Sequence, residues 1–464
     1  MSASPPPSPR PDRRAVLAGA GAYAAAGPTG AAPLERRAPN FIIVLCDDLG
    51  FGDTSLYGAS AIRTPALERM AREGVLLTDY YAPANICTPS RAGLLTGRYP
   101  VRTGLGYEVI MQADDRGLPG SEVTIAQALK PAGYVSGLFG KWHLGHRSTG
   151  WPPTKHGFDR FFGIPYSHDM TPLALFEAEA SREEVRSEPA VLPQLQQRFY
   201  AEAERFIEAN RTRPFFVELA LSAPHLPEHP HAPFDPAGRA GPYGAVVAEI
   251  DSLVDRLLGK LRELKLDRDT VVVFTSDNGP WFEGSPGPFR DRKGGSGYEG
   301  GYRVPFVAWA PGRIPPGRTV SSMFCGIDLL PTFCAMAGTP LPAGVQIDGR
   351  DVTAVWTRGA PSPHEALILF DNEDPVAVRT QRWKYVAASH YRALRLPFAA
   401  LGYDELYDLQ ADRSESYSVA ASHPDVSAAL KSRLAAATAE FAAYRSKAIP
   451  PVFREMRERF SRQD

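Results

Sequence analysis

Two pairs of oxygen-bearing residues, Asp47-Asp48 and Asp277-Asn278, stand far apart in the chain. Each pair follows an apolar run, Phe41–Cys46 and Thr270–Thr275, of the kind that forms a buried strand. Oxygen-only donors suit a hard cation, Ca2+ or Mg2+, rather than zinc. Each pair also has an ordinary reading: Asp-Asn-Gly as a turn, and Asp after a strand as a helix cap. A third stretch runs Cys87-Thr88-Pro89-Ser90-Arg91-Ala92-Gly93-Leu94-Leu95-Thr96-Gly97. It reads as a short helix that begins at Cys87. Thr88 and Ser90 are capping types, Pro89 suits a first turn and Gly97 an end. The N–H groups and partial positive charge of a helix start, with Arg91 beside them, would hold an oxyanion. The alternative is a half-buried structural cysteine.

Cationic and proton-carrying residues follow other candidate strands. Lys141 and His143 lie in Gly-Lys-Trp-His-Leu-Gly after Val135–Phe139, and His225 lies in Ala-Pro-His-Leu-Pro after Phe215–Leu221. Lys293 opens Lys-Gly-Gly-Ser-Gly-Tyr-Glu-Gly-Gly, which lacks the spacing of a P-loop. Taken singly, these read as a solvated lysine, loop histidines and a flexible glycine segment. A thiol phosphatase of the Cys-x5-Arg type would need arginine at position 93, which is Gly93.

The elements that must position these groups alternate between strand and helix, which indicates an α/β sheet sandwiched by helices. Ligands in such sheets lie beyond the carboxyl ends of the strands, where these clusters fall. Tyr243–Leu264 is an amphipathic helix, with Val246, Ile250, Leu253, Leu257, Leu261 and Leu264 on one face. Helices are also expected over Thr64–Glu73, capped by Thr64, and over Val123–Lys130, Val191–Asn210 and Asp328–Ala337. After Arg358 the pattern changes to short strands at Ala366–Phe370, Val376–Arg379, Trp383–Val386 and Glu405–Asp408, closed by a helix near Ser427–Tyr444. The expected division is a leader over 1–39, a catalytic α/β domain over 40–358, a smaller antiparallel-sheet subdomain over 359–448 and a polar tail over 449–464.

Composition excludes little beyond a nucleic-acid partner: 464 residues carry a net charge of −1. The four cysteines, Cys46, Cys87, Cys325 and Cys334, form neither a zinc pattern nor a disulfide framework. Arg13-Arg14 precedes the small apolar run Ala15–Ala26, which looks like a twin-arginine export leader. The apolar run is too short for a comfortable membrane span. The expected location is periplasmic or secreted.

The string Cys-x-Pro-Ser-Arg followed by Leu-Leu-Thr-Gly-Arg resembles the signature of type I, formylglycine-dependent sulfatases. The resemblance extends over residues 39–415. It includes Asp48-Leu49-Gly50-Phe51-Gly52-Asp53, Ser276-Asp277-Asn278-Gly279 and Gly300-Gly301-x-Arg303-Val304-Pro305. Gly157–Asp169 is most similar to the arylsulfatase A branch. Departures are Glu68, Arg413 and Ser418, all outside the expected site.

The resemblance implies an alkaline-phosphatase-like fold and a sulfuric ester hydrolase acting on an aryl or carbohydrate sulfate. The alternative it leaves is a phosphonate or phosphate ester hydrolase of the same superfamily. In that family the cysteine is converted to formylglycine (3-oxoalanine) by a formylglycine-generating enzyme. The metal ligands implied are Asp47, Asp48, Asp277, Asn278 and residue 87, with Ca2+ (or Mg2+) as the ion. The catalytic set implied is Cys87, Arg91, Lys141, His143, His225 and Lys293. Lys141, His225, Lys293 and Ser167 bind substrate, and Asp53 is structural.

Overall fold

The computed structural model describes Met1 and residues 38–58, 61–148, 150–234, 240–391 and 394–446. The expected leader, but for Met1, Ala38 and Pro39, and the expected tail lie outside these residues. The first apolar run forms β1 (Asn40–Asp47), buried along its whole length. Phe41, Ile43 and Leu45 enter one apolar core, while Ile42, Val44 and Cys46 enter a second on the opposite face. A strand covered on both faces has no polar side, hence the unbroken apolar run.

The chain continues through α1 (Pro65–Glu73), β2 (Val75–Leu77), β3 (Tyr80–Tyr81), α2 (Cys87–Thr96) and α3 (Ile125–Leu129). Then come β4 (Val135–Lys141), β5 (Arg160–Ile164), β6 (Ala174–Glu179) and β7 (Val185–Pro189). β5 to β7 were not expected from the sequence. β7 is a largely exposed edge strand, Val-Arg-Ser-Glu-Pro, so it carries no apolar alternation to read. Next are α4 (Leu195–Ala209), β8 (Phe215–Pro224), α5 (Gly241–Glu263) and β9 (Thr270–Ser276). The expected apolar face of α5 is the buried one: Val246, Ile250, Leu253, Leu257 and Leu261 all enter the second core. The domain closes with α6 (Glu299–Tyr302), β10 (Phe306–Trp309), β11 (Arg318–Val320), β12 (Phe324–Cys325), α7 (Leu329–Ala337) and α8 (Thr353–Arg358).

Ten strands form one mixed sheet in the order β11-β2-β10-β9-β1-β8-β4-β5-β6-β7. The central run β9, β1, β8, β4 and β5 is parallel, and β10 and β6 flank it antiparallel. Side chains of α1, α4 and α5 fill the core on one face, and those of α2, α3 and α7 the core on the other. This is the helix-sandwiched α/β arrangement expected from the alternation.

The C-terminal strands are β13 (Leu367–Asp371), β14 (Asp374–Arg379), β15 (Trp383–Val386), β16 (Ala388–Tyr391), β17 (Leu394–Pro397) and β18 (Glu405–Asp408). β13, β14, β15 and β18 make the expected small antiparallel sheet, and α9 (Pro424–Phe441) packs on it. All four cysteines are buried free thiols. Among the described residues no helix is long and apolar enough to cross a membrane.

Candidate active site

Four neighbouring parallel strands, β9, β1, β8 and β4, end together, which gathers the chemistry-bearing residues. Cys46 pairs with Ser276 across β1 and β9, and Asp47 pairs with Pro224 across β1 and β8. Asp47-Asp48, Asp277-Asn278, His225 and Lys141 are therefore the last residues of adjacent strands or the first beyond them. Asp47, Asp48, Asp277 and Cys87 each place a ligand atom within 4.8 Å of the others, and all four are buried.

Thr88 and Ser90 do not cap α2, contrary to the sequence expectation; no side chain caps its N-terminus. Both hydroxyls tie the helix to strand exits instead. Thr88 Oγ1 donates to the His143 carbonyl at 2.9 Å, and Ser90 Oγ donates to the Asp277 carbonyl. All ten residues of α2 are buried, so its polar groups must find protein partners rather than water. Gly97 ends the helix as expected, at φ 68°, its N–H on the Gly93 carbonyl at 3.0 Å. Thr64 likewise fails to cap α1 through its side chain; its Oγ1 accepts the Ser55 N–H at 3.0 Å.

The cations are held on the carboxylates. Arg91 donates from Nε to Asp277 Oδ2 at 2.9 Å, from Nη2 to Asp47 Oδ1 at 3.3 Å and from Nη1 to the Lys141 carbonyl at 3.0 Å. Lys141 Nζ straddles both Asp47 oxygens at 2.8 and 2.7 Å, and Lys293 Nζ meets Asp48 Oδ2 at 2.7 Å. His225 Nε2 is 3.6 Å from the same Asp48 oxygen, and its Nδ1–H donates to the Leu226 carbonyl at 2.6 Å. Lys293 is carried close by backbone contact: its N–H donates to the Pro280 carbonyl at 3.0 Å. Glycines permit this approach. A Cβ on Gly279 would stand 2.0 Å from the Gly300 carbonyl oxygen, which only glycine avoids.

Charge and burial set the protonation states. Burial alone would raise the Asp47 carboxyl, but Lys141, His225, Arg91 and Lys293 outweigh it and hold the group well below its ordinary value. Burial pushes Asp277 up, and Asp47 and Asp48 push it further against the pull of Arg91 and Lys141. Burial pushes the Cys87 thiol far up despite Lys141 and Lys293, so it stays a thiol and is a poor nucleophile. Its Sγ lies 3.5 Å from Asp47 Oδ1 and 3.9 Å from Asp48 Oδ1. Burial, then Lys141 and Arg91, depress His143, which is a neutral imidazole. A carbonyl only accepts, so its Nε2–H donates to Ile110 at 3.0 Å, and Nδ1 keeps a buried lone pair without a partner among the described residues.

A cation fits the oxygen cluster. Asn278 Nδ2 donates to Asp48 Oδ1 at 2.7 Å and to the Gly279 carbonyl at 2.8 Å, leaving Oδ1 buried and without a partner. Three clustered carboxylates, with an orphaned amide oxygen on the residue bonded to Asp48, suit a hard cation. Asp48 and His143 hold left-handed backbone, φ 69° and 58°, a conformation costing of order 1–3 kcal/mol that marks functional turns.

Ser167 follows β5 and is buried with no partner for its hydroxyl among the described residues, so a loop hydrogen bond is not its role here. Asp53 is structural: it accepts from the N–H groups of Gly50 and Ser285 and from the Tyr243 hydroxyl. Sequence reasoning missed the Ile110 carbonyl, which has no sequence signal because it acts through the backbone.

A hydrolase of anionic esters is the class that this sheet and this cluster define. The chain belongs to the sulfatase family: the family model "Sulfatase" matches residues 39–339, and that of the N-sulphoglucosamine sulphohydrolase C-terminal region matches 293–440. It is 37% identical to arylsulfatase A of Homo sapiens over 85% of this chain and 87% of that protein. It is 38% identical to N-acetylgalactosamine-6-sulfatase of Canis lupus familiaris over 74% of this chain and 69% of that one. Among solved structures, the PsFucS1 sulfatase from Pseudoalteromonas sp. superposes with a TM-score of 0.81 at 26% identity, over 89% of this chain and 92% of that one. The phosphonate monoester hydrolase of Agrobacterium radiobacter shares the fold at a TM-score of 0.60 and 21% identity, over 87% of this chain and 96% of that one. The chain is a sulfuric ester hydrolase whose relatives act on aryl and carbohydrate sulfates, and the phosphonate alternative is only a distant neighbour.

Proposed function

We propose that the cluster around Cys87 is the sulfatase active site and that residue 87 works as formylglycine, not as a thiol. The observation that carries this is the Cys87 sulfur buried among Asp47, Asp48 and Asp277 within one ligand-sized volume. Asp47, Asp48, Asp277, Asn278 and residue 87 would hold a divalent cation, Ca2+ or Mg2+, which would supply positive charge to acidify the nucleophile and neutralise sulfate. Formylglycine at 87 would supply, as its hydrate, two hydroxyls, one as a nucleophile toward sulfur and a second whose proton can be taken to release sulfate.

The chain's own residues do the rest. Arg91 holds Asp47 and Asp277 in register, so two carboxylates from different strands face one point. Lys141 and Lys293 bring two ammonium groups to that point, where negative charge grows on the sulfate oxygens. His225 or Lys293 protonates the departing alcohol; both have side chains about one-eighth exposed, beside a buried cluster, and so face the substrate's side. His143 Nδ1, neutral and unpartnered, accepts the proton of the second hydroxyl. Ser167 contributes its free hydroxyl to substrate binding.

The same reading assigns residues 40–358 to the catalytic domain and 359–448 to the smaller sheet. A formylglycine-generating enzyme is the partner in maturation, and residues 1–39 are the leader for export. Mass analysis of the peptide containing residue 87, from natively produced active enzyme, tests the nucleophile. An aldehyde is expected there, and an unmodified thiol in fully active enzyme would refute it.

A further inference from the structure

We propose that Trp281, Phe282 and Glu283 form a subsite for the leaving group of the ester, and that it selects a sugar ring over a simple aryl or alkyl group. This rests on the active-site assignment above. The loop begins three residues past Asn278 and is clamped to the residues before Lys293. The Pro280 carbonyl accepts the Lys293 N–H, and Arg292 Nη1 donates to the carbonyls of Trp281 at 3.0 Å and Gly284 at 2.7 Å. Trp281 and Phe282 are 38% and 73% exposed, their ring centroids 4.7 Å apart. Aromatic faces that stand in solvent on a loop leaving the Asp277-Asn278 pair, and not in the core, offer a platform to a ring.

Glu283 supplies the second, independent observation. Both of its carboxylate oxygens are shut off from solvent, and neither accepts from any other described residue. Asp48, Glu228 and His225 are near enough to act on its charge, and Arg292 bonds the carbonyls two residues before it and one after it. A carboxylate needs several donors, and a buried one with only its own backbone N–H beside it remains short of them. It is kept where a ligand brings O–H groups. A saturated ring with hydroxyls flanking the sulfate-bearing carbon has an apolar face for the aromatics and donors at its edge for Glu283. An aryl sulfate presents the face without the donors.

Competition against turnover of 4-nitrophenyl sulfate reads this directly. The ring-position isomers of galactose monosulfate are compared with cyclohexyl sulfate, a ring of similar size without hydroxyls. At least one isomer is expected to compete about tenfold better than cyclohexyl sulfate, the effect of about one charge-assisted hydrogen bond. Glu283→Ala should abolish that advantage, and Trp281→Ala with Phe282→Ala should weaken both competitors. The Glu283→Ala protein should melt no lower than wild type, because the side chain has no partner in another described residue to lose. Equal competition by cyclohexyl sulfate, an advantage that survives Glu283→Ala, or a melting temperature several degrees lower would each overturn the subsite. Failure of enzyme carrying the aldehyde at residue 87 to release sulfate from any of these esters would overturn the active-site assignment as well.

Discussion

Asn278 shows how much a single side chain reveals about the cluster. Its amide nitrogen is fully used and its oxygen is idle, in a place no water reaches. An idle acceptor on the residue that bonds Asp48, in the group of three carboxylates, is a ligand a cation would take up. Chelation should therefore lower the melting temperature, and Ca2+ or Mg2+ should restore it, because a ligand of the native state alone stabilises that state. Asn278→Ala should weaken cation binding about tenfold or more by titration calorimetry, with the fold retained. Lys293→Ala removes one of two ammonium groups from the point where charge develops. A fall of about 10^2–10^3-fold in kcat is expected, and a change confined to KM would mean that Lys293 only binds.

At the scale of elements, β8 joins structure to charge. Its Phe215, Val217, Leu219 and Leu221 fill one core and its Phe216 the other. Glu218 lies between them, paired in register with Ile43 and Leu138, buried, with Oε2 lacking a partner among the described residues. Burial lifts its carboxyl from the ordinary 4.5 to about 7, with only Arg91 pulling it down. Between those values the folded state keeps a proton that the unfolded chain has lost. Stability therefore falls as pH rises from about 4.5 through about 7, by up to about 3 kcal/mol. Chemical denaturation across that range should show the slope, and Glu218→Gln should flatten it. α2 makes a related point. Thr88 and Ser90 look like caps in the sequence, yet a helix buried on every side takes its hydrogen bonds from the strands it crosses.

At the scale of the molecule, a buried ionic network ties the C-terminal sheet to the segment that carries Lys293. Lys384, on β15, lies 3.0 Å from Glu299 and 2.8 Å from Glu415. Glu299 opens α6, six residues beyond Lys293, and accepts from the Tyr81 hydroxyl at 2.7 Å and from Arg303 at 3.1 Å. Arg379 on β14 reaches Asp79 at 3.1 Å. Removing the cation from a fully buried cluster leaves Glu415 without its ion-pair partner, while Glu299 keeps Arg303. Lys384→Met should cost about 3–5 kcal/mol in denaturant unfolding, and a cost near zero would show that the network is not needed to join the two sheets.

The sequence by itself determined the α/β class, the apolar faces of β1 and α5, and the small terminal sheet. These are local: a strand buried on both faces must be continuously apolar, and a half-buried helix must be apolar every third or fourth residue. It also named the oxygen pairs and the cations, because hard-cation donors and anion-binding charges are residue types. The tertiary structure alone decided that β9, β1, β8 and β4 are neighbours with a common end. That adjacency turns four separate motifs into one site. It also decided the use of Thr88 and Ser90, the free Nδ1 of His143 and the unpartnered oxygens of Asn278 and Glu283. Whether a polar atom has a partner depends on residues up to hundreds of positions away, and no local spacing encodes it.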